Sequence, residues 1–394
     1  MAVLLVIDRY TGKYPLLMEQ SISPIYNQSF SRADFLKLGG LAFGLALSLY
    51  LPTGQALAKN PLSKLPAKRL HPADAAAVLG SMSTVEEGMQ GRVLDGSITV
   101  YDIPSTKGNN VQTYWRDRVI PITGVTLCSD PLDESHNKVW YKIGDEGYTH
   151  SGSIQPVRTM HNPVQEDIPD VGFLAEVTVP FTDARWKLGP TEPVAYRFYY
   201  QTTYWVIRTV HDASGEPWYV VLDDKWEYIF YVPAIHLRIL PIEEISPLSP
   251  HISPRSKRIE VHLPEQVLIA YEQDEPVYMT RVATGGKFRD GNYETPTGRR
   301  EIFRKRPSRH MARGNLAANG YDLPGVPWNS YITEDGIAFH GTYWHNNFGR
   351  PRSHGCINLS PTAALWLYRW TLPVVPSDQS YAYEPGGTAV DIIG

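Results

Sequence analysis

Cysteine is scarce in this chain: only Cys128 and Cys356 occur in 394 residues, too few for a disulfide framework. Charge of one sign is missing too. With 37 Lys and Arg against 41 Asp and Glu, the formal net charge is -4, so no broad basic field exists to hold nucleic acid or an anionic membrane. Runs rich in Ala, Leu, Glu and Lys are few, which argues against long helices. What is plentiful is 24 Tyr, 10 Trp and 32 Pro, a composition suited to short strands and turns. A mainly β protein is predicted, divided into two or three compact units at about 150 residues each.

Residues 38–51 (LGGLAFGLALSLYL) are apolar, follow Arg32 and Lys37, and precede an Ala56-Leu57-Ala58 cleavage pattern. The run is shorter than the roughly 20 residues that span a bilayer, so residues 1–58 read as a cleaved export leader rather than an anchor. The preceding SRADFLK resembles the twin-arginine export motif, with Ala33 in place of the second arginine. Met18 as the start would give a leader of more usual length. An extracytoplasmic location is expected, with no tight membrane partner beyond the leader. Residues 59–90 read as a basic, Pro-containing tether followed by a short helix that starts at Pro72 and stops at Gly80.

From 91 to 157 short alternating strands follow one another, as in RVLDGSITVYDIP, VIPITGVTLC, KVWYKIGDEGYTH and SIQPV. Strands this short close most easily into a small barrel, and the stretch resembles a bacterial Src-homology-3-like domain. A second β-rich module is expected over 173–242. Its WYVVLDDKWEYIFYVPAIHLRIL is a loose echo of WYKIGDEGYTHSGSIQPV in the first, so duplication and an unrelated set of aromatic hairpins both remain open. The aromatic residues suit core packing, with stacking on the sugar rings of a glycan as the alternative. Cys128, in an apolar strand, reads as a buried core residue. Residues 239–254 are rich in Pro and Ser and mark a linker.

A third domain is expected over 256–376. Strands are read at KRIEVHL, QVLIAYE, PVYMTRVATGG, REIFRK, PWNSYIT and GIAFHG, which together predict a β-sandwich. Ser360-Pro361 then starts a short amphipathic helix, PTAALWLYRW, in which Ala364, Leu365, Leu367 and Tyr368 could pack on the sheet. Between His340 and Asn358, HGTYWHNNFGRPRSHGCIN concentrates three histidines and one cysteine. A thiol is mostly protonated at neutral pH and needs an adjacent base to become a nucleophile. His340 ends a strand that could aim its imidazole at a thiol on the following loop. His345 sits in a polar loop, and His354 is spaced to shape the backbone. Gly355 lets peptide N-H groups come close to a substrate carbonyl as an oxyanion hole. A zinc site is the chemical rival, but H-x4-H-x8-H-x-C matches no compact zinc module. A non-catalytic wall-binding protein is a further alternative.

Ser353-His354-Gly355-Cys356-Ile357-Asn358, with His340-Gly341 upstream, resembles the signature of the L,D-transpeptidase catalytic family, and ETPTG at 294–298 and Trp344 also sit where relatives carry similar residues. The resemblance implies Cys356 as nucleophile, His340 as proton acceptor and donor, and the Gly341 carbonyl as the group that orients His340. Its substrates would be peptidoglycan stem peptides, cut after a diamino acid and joined to a neighbouring stem, or hydrolysed if water replaces the amine. No cofactor or metal is implied. Tyr331, Trp344, Arg350, Arg352, Ser353 and Asn358 are the candidates to line the substrate pocket, with either arginine meeting a carboxylate.

Overall fold

Alternating Val, Ile, Tyr and Trp residues build nearly all of the regular structure, and the protein is mainly β. The computed structural model describes residues 88–130, 132, 135–314 and 320–394. The expected leader, and the tether and helix up to residue 87, lie outside the described residues.

The first module runs from Gln90–Val93 to Ile154–Val157, and the second from Phe173–Val177 to Leu237–Ile239. Each has seven strands. Numbered within its own module, each sheet has the same order, 3-2-6-5-4-1-7, and each carries a one-turn 3-10 helix between strands six and seven, Ser151–Ser153 and Ala234–His236. The echo noticed in the sequence falls on equivalent fifth strands, Val139–Ile143 and Pro217–Leu222, so Trp140-Tyr141 and Trp218-Tyr219 occupy matching places. Shared order, shared helix and matched residues favour duplication over unrelated hairpins. Separate cores fill the modules: Val93, Val100, Ile120, Ile143 and Ile154 in the first, and Val177, Phe198, Tyr219, Phe230 and Leu237 in the second. One strand, Asn110–Trp115, was not read from the sequence; four of its six residues are exposed, so it lacks the apolar alternation that marks a strand. Cys128 departs from the buried position expected. It is only partly buried and lines a surface groove with Trp140 and His150, because it lies past the end of the Val119–Leu127 strand.

The third domain stacks two five-stranded sheets. One is ordered Glu275–Arg281, Val267–Glu272, Lys257–His262, Ala389–Ile393, Gly298–Glu301; the other is Ile357–Leu359, Ala338–Gly341, Tyr321–Tyr331, Arg304–Arg313, Ala382–Tyr383. The stretch read as one strand, REIFRK, is in fact the crossing point. Gly298–Glu301 belongs to the first sheet and Arg304–Arg313 to the second, with Ile302 and Phe303 buried between them. The domain also continues past residue 376, because Ala389–Ile393 runs parallel to Lys257–His262 in the middle of the first sheet. Ile259, Val261, Leu268, Val390 and Ile392 from one sheet meet Trp328, Phe339, Ile357 and Leu359 from the other in a single core.

Helix α1, Ile242–Ile245, is a single turn in the linker. Helix α2, Pro361–Trp370, starts where Ser360 Oγ accepts from Ala363 N at 3.2 Å. It buries Ala364, Leu367 and Tyr368 in the core, with Leu365 at the margin. Two buried lysines satisfy carbonyls at its carboxy end: Lys305 Nζ donates to Tyr368 O and Thr371 O, and Lys257 Nζ to Trp370 O at 3.0 Å.

Both modules grip the third domain. Arg92, buried in the first, donates to Asp117 Oδ1 at 2.9 Å, Gln155 Oε1 at 2.7 Å and Tyr343 O at 2.6 Å. Tyr199 of the second module stacks on Tyr343 with centroids 5.3 Å apart. Asn346 donates through its backbone to Gly152 O at 3.1 Å and through its amide to Ser151 O at 3.2 Å. The loop that follows His340 is therefore seated on both modules. Removing one member of such a buried charged network leaves the other uncompensated, at a cost of about 3–5 kcal/mol. Arg92→Ala should lower the midpoint of thermal unfolding by several degrees and slow thiol acylation. Retention of parental stability and rate would show that the modules do not hold the loop.

Candidate active site

Cys356 comes one residue before the Ile357–Leu359 strand, which pairs in parallel with Ala338–Gly341 in the register Phe339↔Ile357 and His340↔Asn358. Cys356 is thus level with Ala338. Because alternate residues share a face and paired residues point the same way, Cys356 and His340 are diagonal neighbours on one face of the sheet. The strand register, and not the intervening loop, sets His340 and Cys356 on the same face.

The tautomer of His340 follows from its surroundings. Its Nδ1 lies 3.0 Å from Gly341 O, and only a protonated Nδ1 can donate there, so Nε2 is the free basic nitrogen. The side chain is buried, and burial pushes its pKa down to about 4. The Cys356 thiol is pushed up to about 11, also by burial, and its nearest acceptor is Gly336 O at 3.7 Å. Both groups are neutral at rest.

The loop that carries the thiol is braced on three sides. Ser353 Oγ donates to Cys356 O at 2.5 Å and accepts from Gly355 N at 3.2 Å. Thr295 Oγ1 donates to Gly355 O at 2.8 Å and accepts from Gly285 N at 2.9 Å. Ser353 N donates to Thr284 O at 3.0 Å. With the Gly355 N-H engaged, Cys356's own N-H has no acceptor among the described residues and is free to meet an oxyanion. Gly355 has φ +120, a conformation that favours glycine.

Gly285 and Thr295 were not singled out in the sequence as site residues, although Thr295 lies in the ETPTG motif and Gly285 at the end of the strand read at PVYMTRVATGG. The reason Gly285 is glycine is spatial: an added Cβ would lie 2.0 Å from Tyr293 O and 2.8 Å from Gly355 Cα, both backbone atoms. Gly285→Ala should therefore shift the thiol loop and cost more than about 2 kcal/mol in unfolding free energy. Wild-type stability together with wild-type acylation in that variant would refute the close packing.

The remaining residues fall in different places. Trp344 lies beside His340, ring centroids 5.7 Å apart, and burial raises the Tyr331 phenol pKa, with a smaller contribution from nearby Cys356. His345 is buried, with Nδ1 accepting from Asn347 N at 3.3 Å and Nε2 facing the Asn358 amide at 2.9 Å. Its pKa falls to about 3, by burial and then by the charge of Arg352, so it is a neutral anchor for the loop, unlike the polar loop residue the sequence suggested. His354 is exposed and packs edge-on against Tyr293 at 4.3 Å. Arg352 is exposed. Arg350 is exposed too, and its guanidinium meets the Asn347 amide oxygen at 2.6 and 2.9 Å beside the first module. No disulfide joins Cys128 and Cys356, and among the described residues no three His, Cys, Asp or Glu side chains are grouped to hold a metal ion.

Residues 256–392 match the family model of the L,D-transpeptidase catalytic domain. No curated protein matches the chain. Among solved structures, the chain is similar to a cysteine-to-serine mutant of the Enterococcus faecium L,D-transpeptidase, at 22% identity over 35% of this chain and 50% of that one, with a TM-score of 0.28. It is also similar to the catalytic domain of the E. faecium enzyme, at 23% identity over 35% and 96% with a TM-score of 0.27. A third is L,D-transpeptidase 3 from Mycobacterium tuberculosis, at 18% over 43% and 75% with a TM-score of 0.29. The chain spans about half the length of the first E. faecium protein.

Proposed function

With residues 256–392 an L,D-transpeptidase catalytic domain, we propose that the protein is an exported enzyme that cross-links peptidoglycan stem peptides through an acyl-enzyme on Cys356. The reading rests on one observation above all: the thiol and the free Nε2-bearing imidazole of His340 share a sheet face in the register Phe339↔Ile357, inside that domain.

In the proposed cycle His340 Nε2 takes the thiol proton as Sγ attacks the peptide carbonyl that follows the diamino acid of a stem tetrapeptide. The carbonyl oxygen becomes negative, and the Cys356 N-H donates to it. Collapse breaks the C-N bond, His340 returns the proton to the departing amine of D-Ala, and a thioester remains. An amine from a neighbouring stem then attacks the thioester. His340 removes its proton and passes it to the leaving thiolate, which restores Cys356. Both half-reactions use the same base because acid and base roles reverse between them.

Incubation with a stem tetrapeptide and an amine-bearing acceptor, followed by mass spectrometry of the products, tests this directly. The expected products are D-Ala and a cross-linked dimer. Release of D-Ala with only the trimmed tripeptide would identify hydrolysis of the same thioester, and absence of any product would remove the enzymatic reading. Export is tested separately, by whether the mature protein is recovered outside the cytoplasmic membrane.

A further inference from the structure

One row of residues crosses the second sheet of the catalytic domain from the thiol to the far edge. Tyr331 pairs with Ala338, Arg304 with Tyr331, and Tyr383 with Arg304, while Cys356 is level with Ala338. Directly paired residues point to the same face, so Cys356, Ala338, Tyr331, Arg304 and Tyr383 line one side of the sheet in that order. Alanine beside the thiol keeps the start of the row low, and the first large side chain beyond it is Tyr331.

Arg304 is the unusual member. Its guanidinium carbon lies 4.1 Å from the Tyr331 ring centroid, its Nε is buried with no hydrogen-bond partner, and it forms no ion pair among the described residues. Its strand neighbours are served differently, since Arg306 and Arg309 share Asp224 at 3.6 and 2.6 Å. Glu334, on the turn next to the row, accepts instead from the Tyr383 hydroxyl at 3.0 Å. A partly buried guanidinium held on an aromatic face, its Nε sealed from solvent and with no carboxylate partner among the described residues, leaves only its outer nitrogens open to an anion.

We propose that Arg304, with Tyr331 and Tyr383, forms a subsite for a carboxylate of the acyl donor that lies upstream of the scissile bond. The inference rests on the transpeptidase reading above and specifies how that site recognises its peptide. Strands are spaced about 4.8 Å apart, so three steps separate the Cys356 and Arg304 backbones by about 14 Å, and the lean of the guanidinium over Tyr331 shortens the gap to about 10 Å. A peptide advances about 3.5 Å per residue. The carboxylate of the departing residue, about 4 Å from the attacked carbonyl, is too close to reach this subsite. A side-chain or branch carboxylate on the residue before the diamino acid, about 8–10 Å away, fits.

Two tetrapeptide donors, identical except that this upstream carboxylate is free in one and amidated in the other, test the subsite. Acylation of Cys356 and its kcat and KM would be measured for the parent, Arg304→Ala and Arg304→Lys, with thermal unfolding of each. The parent should favour the free carboxylate by tenfold or more, mainly in KM. Arg304→Ala should lose that preference while acylating with the amidated donor within about twofold of the parent, and Arg304→Lys should recover part of it. If Arg304→Ala does not fold, the lysine variant carries the comparison. A parent that treats both donors alike, or a variant that slows both equally, overturns the subsite and leaves the transpeptidase reading intact. A parent acylated by neither donor overturns that reading, and the subsite with it.

Discussion

His340→Ala should slow acylation of Cys356 by about 10²–10⁴-fold, the range associated with loss of a positioned general base. The pH profile separates this role from a structural one. His340 is neutral above about pH 4 and the thiol is protonated below about pH 11. Acylation of the parent should therefore be nearly level between about pH 5.5 and 9, and should fall as pH drops through 4 and the imidazole gains its proton. Proton transfer during attack also predicts a normal solvent isotope effect, with slower reaction in D₂O. In the alanine variant the level region should vanish, and the rate should climb about tenfold per pH unit as hydroxide alone generates thiolate. A preformed thiolate-imidazolium pair would behave differently: alkylation of the parent by iodoacetamide would be fast and independent of pH from 6 to 8. That result would contradict the neutral resting state.

Cys356→Ala should have the larger effect. The variant retains the loop braces, since Ser353 binds the backbone carbonyl of Cys356 and not its sulfur, and Thr295 binds the carbonyl of Gly355. It should fold normally and still bind peptide. Without a nucleophile, however, turnover should fall by at least about 10⁴-fold, to what binding and the remaining N-H donor alone supply. Cys128 offers no substitute, since it lies in the first module beside Trp140 and His150, away from His340. Residual turnover above a few per cent in Cys356→Ala would mean that another group carries the chemistry.

The candidate pair was legible in the sequence because its residues are compressed into 19 positions, His340 to Asn358, and because the apolar GIAFH run marks the strand that carries His340. The braces were not. Arg92 and Tyr343 are 251 positions apart, and nothing in the strand that carries Arg92 or the loop that carries Tyr343 indicates that they meet. Gly285 and Thr295 are small residues in loops whose role depends on what approaches them in three dimensions. The exchange of one strand between sheets at Ile302-Phe303 was hidden for a related reason: two buried residues in succession look the same in sequence whether a strand continues or turns a corner. Likewise the echo around Trp140 and Trp218 hinted at duplication, while the shared strand order became visible only in the pairing. Arg304 carried no signal at all, because an arginine in a strand is usually solvated and only its buried Nε and its lack of an ion pair among the described residues set this one apart.

The central claim is that Cys356, assisted by His340, forms a covalent acyl-enzyme. Intact-protein mass spectrometry of residues 59–394 after incubation with a stem tetrapeptide or a carbapenem tests it most directly. The account predicts an adduct on the parent that maps to Cys356, is absent from Cys356→Ala and accumulates far more slowly on His340→Ala. A folded parent that gains no mass with either compound, or an adduct that persists without Cys356, would contradict it.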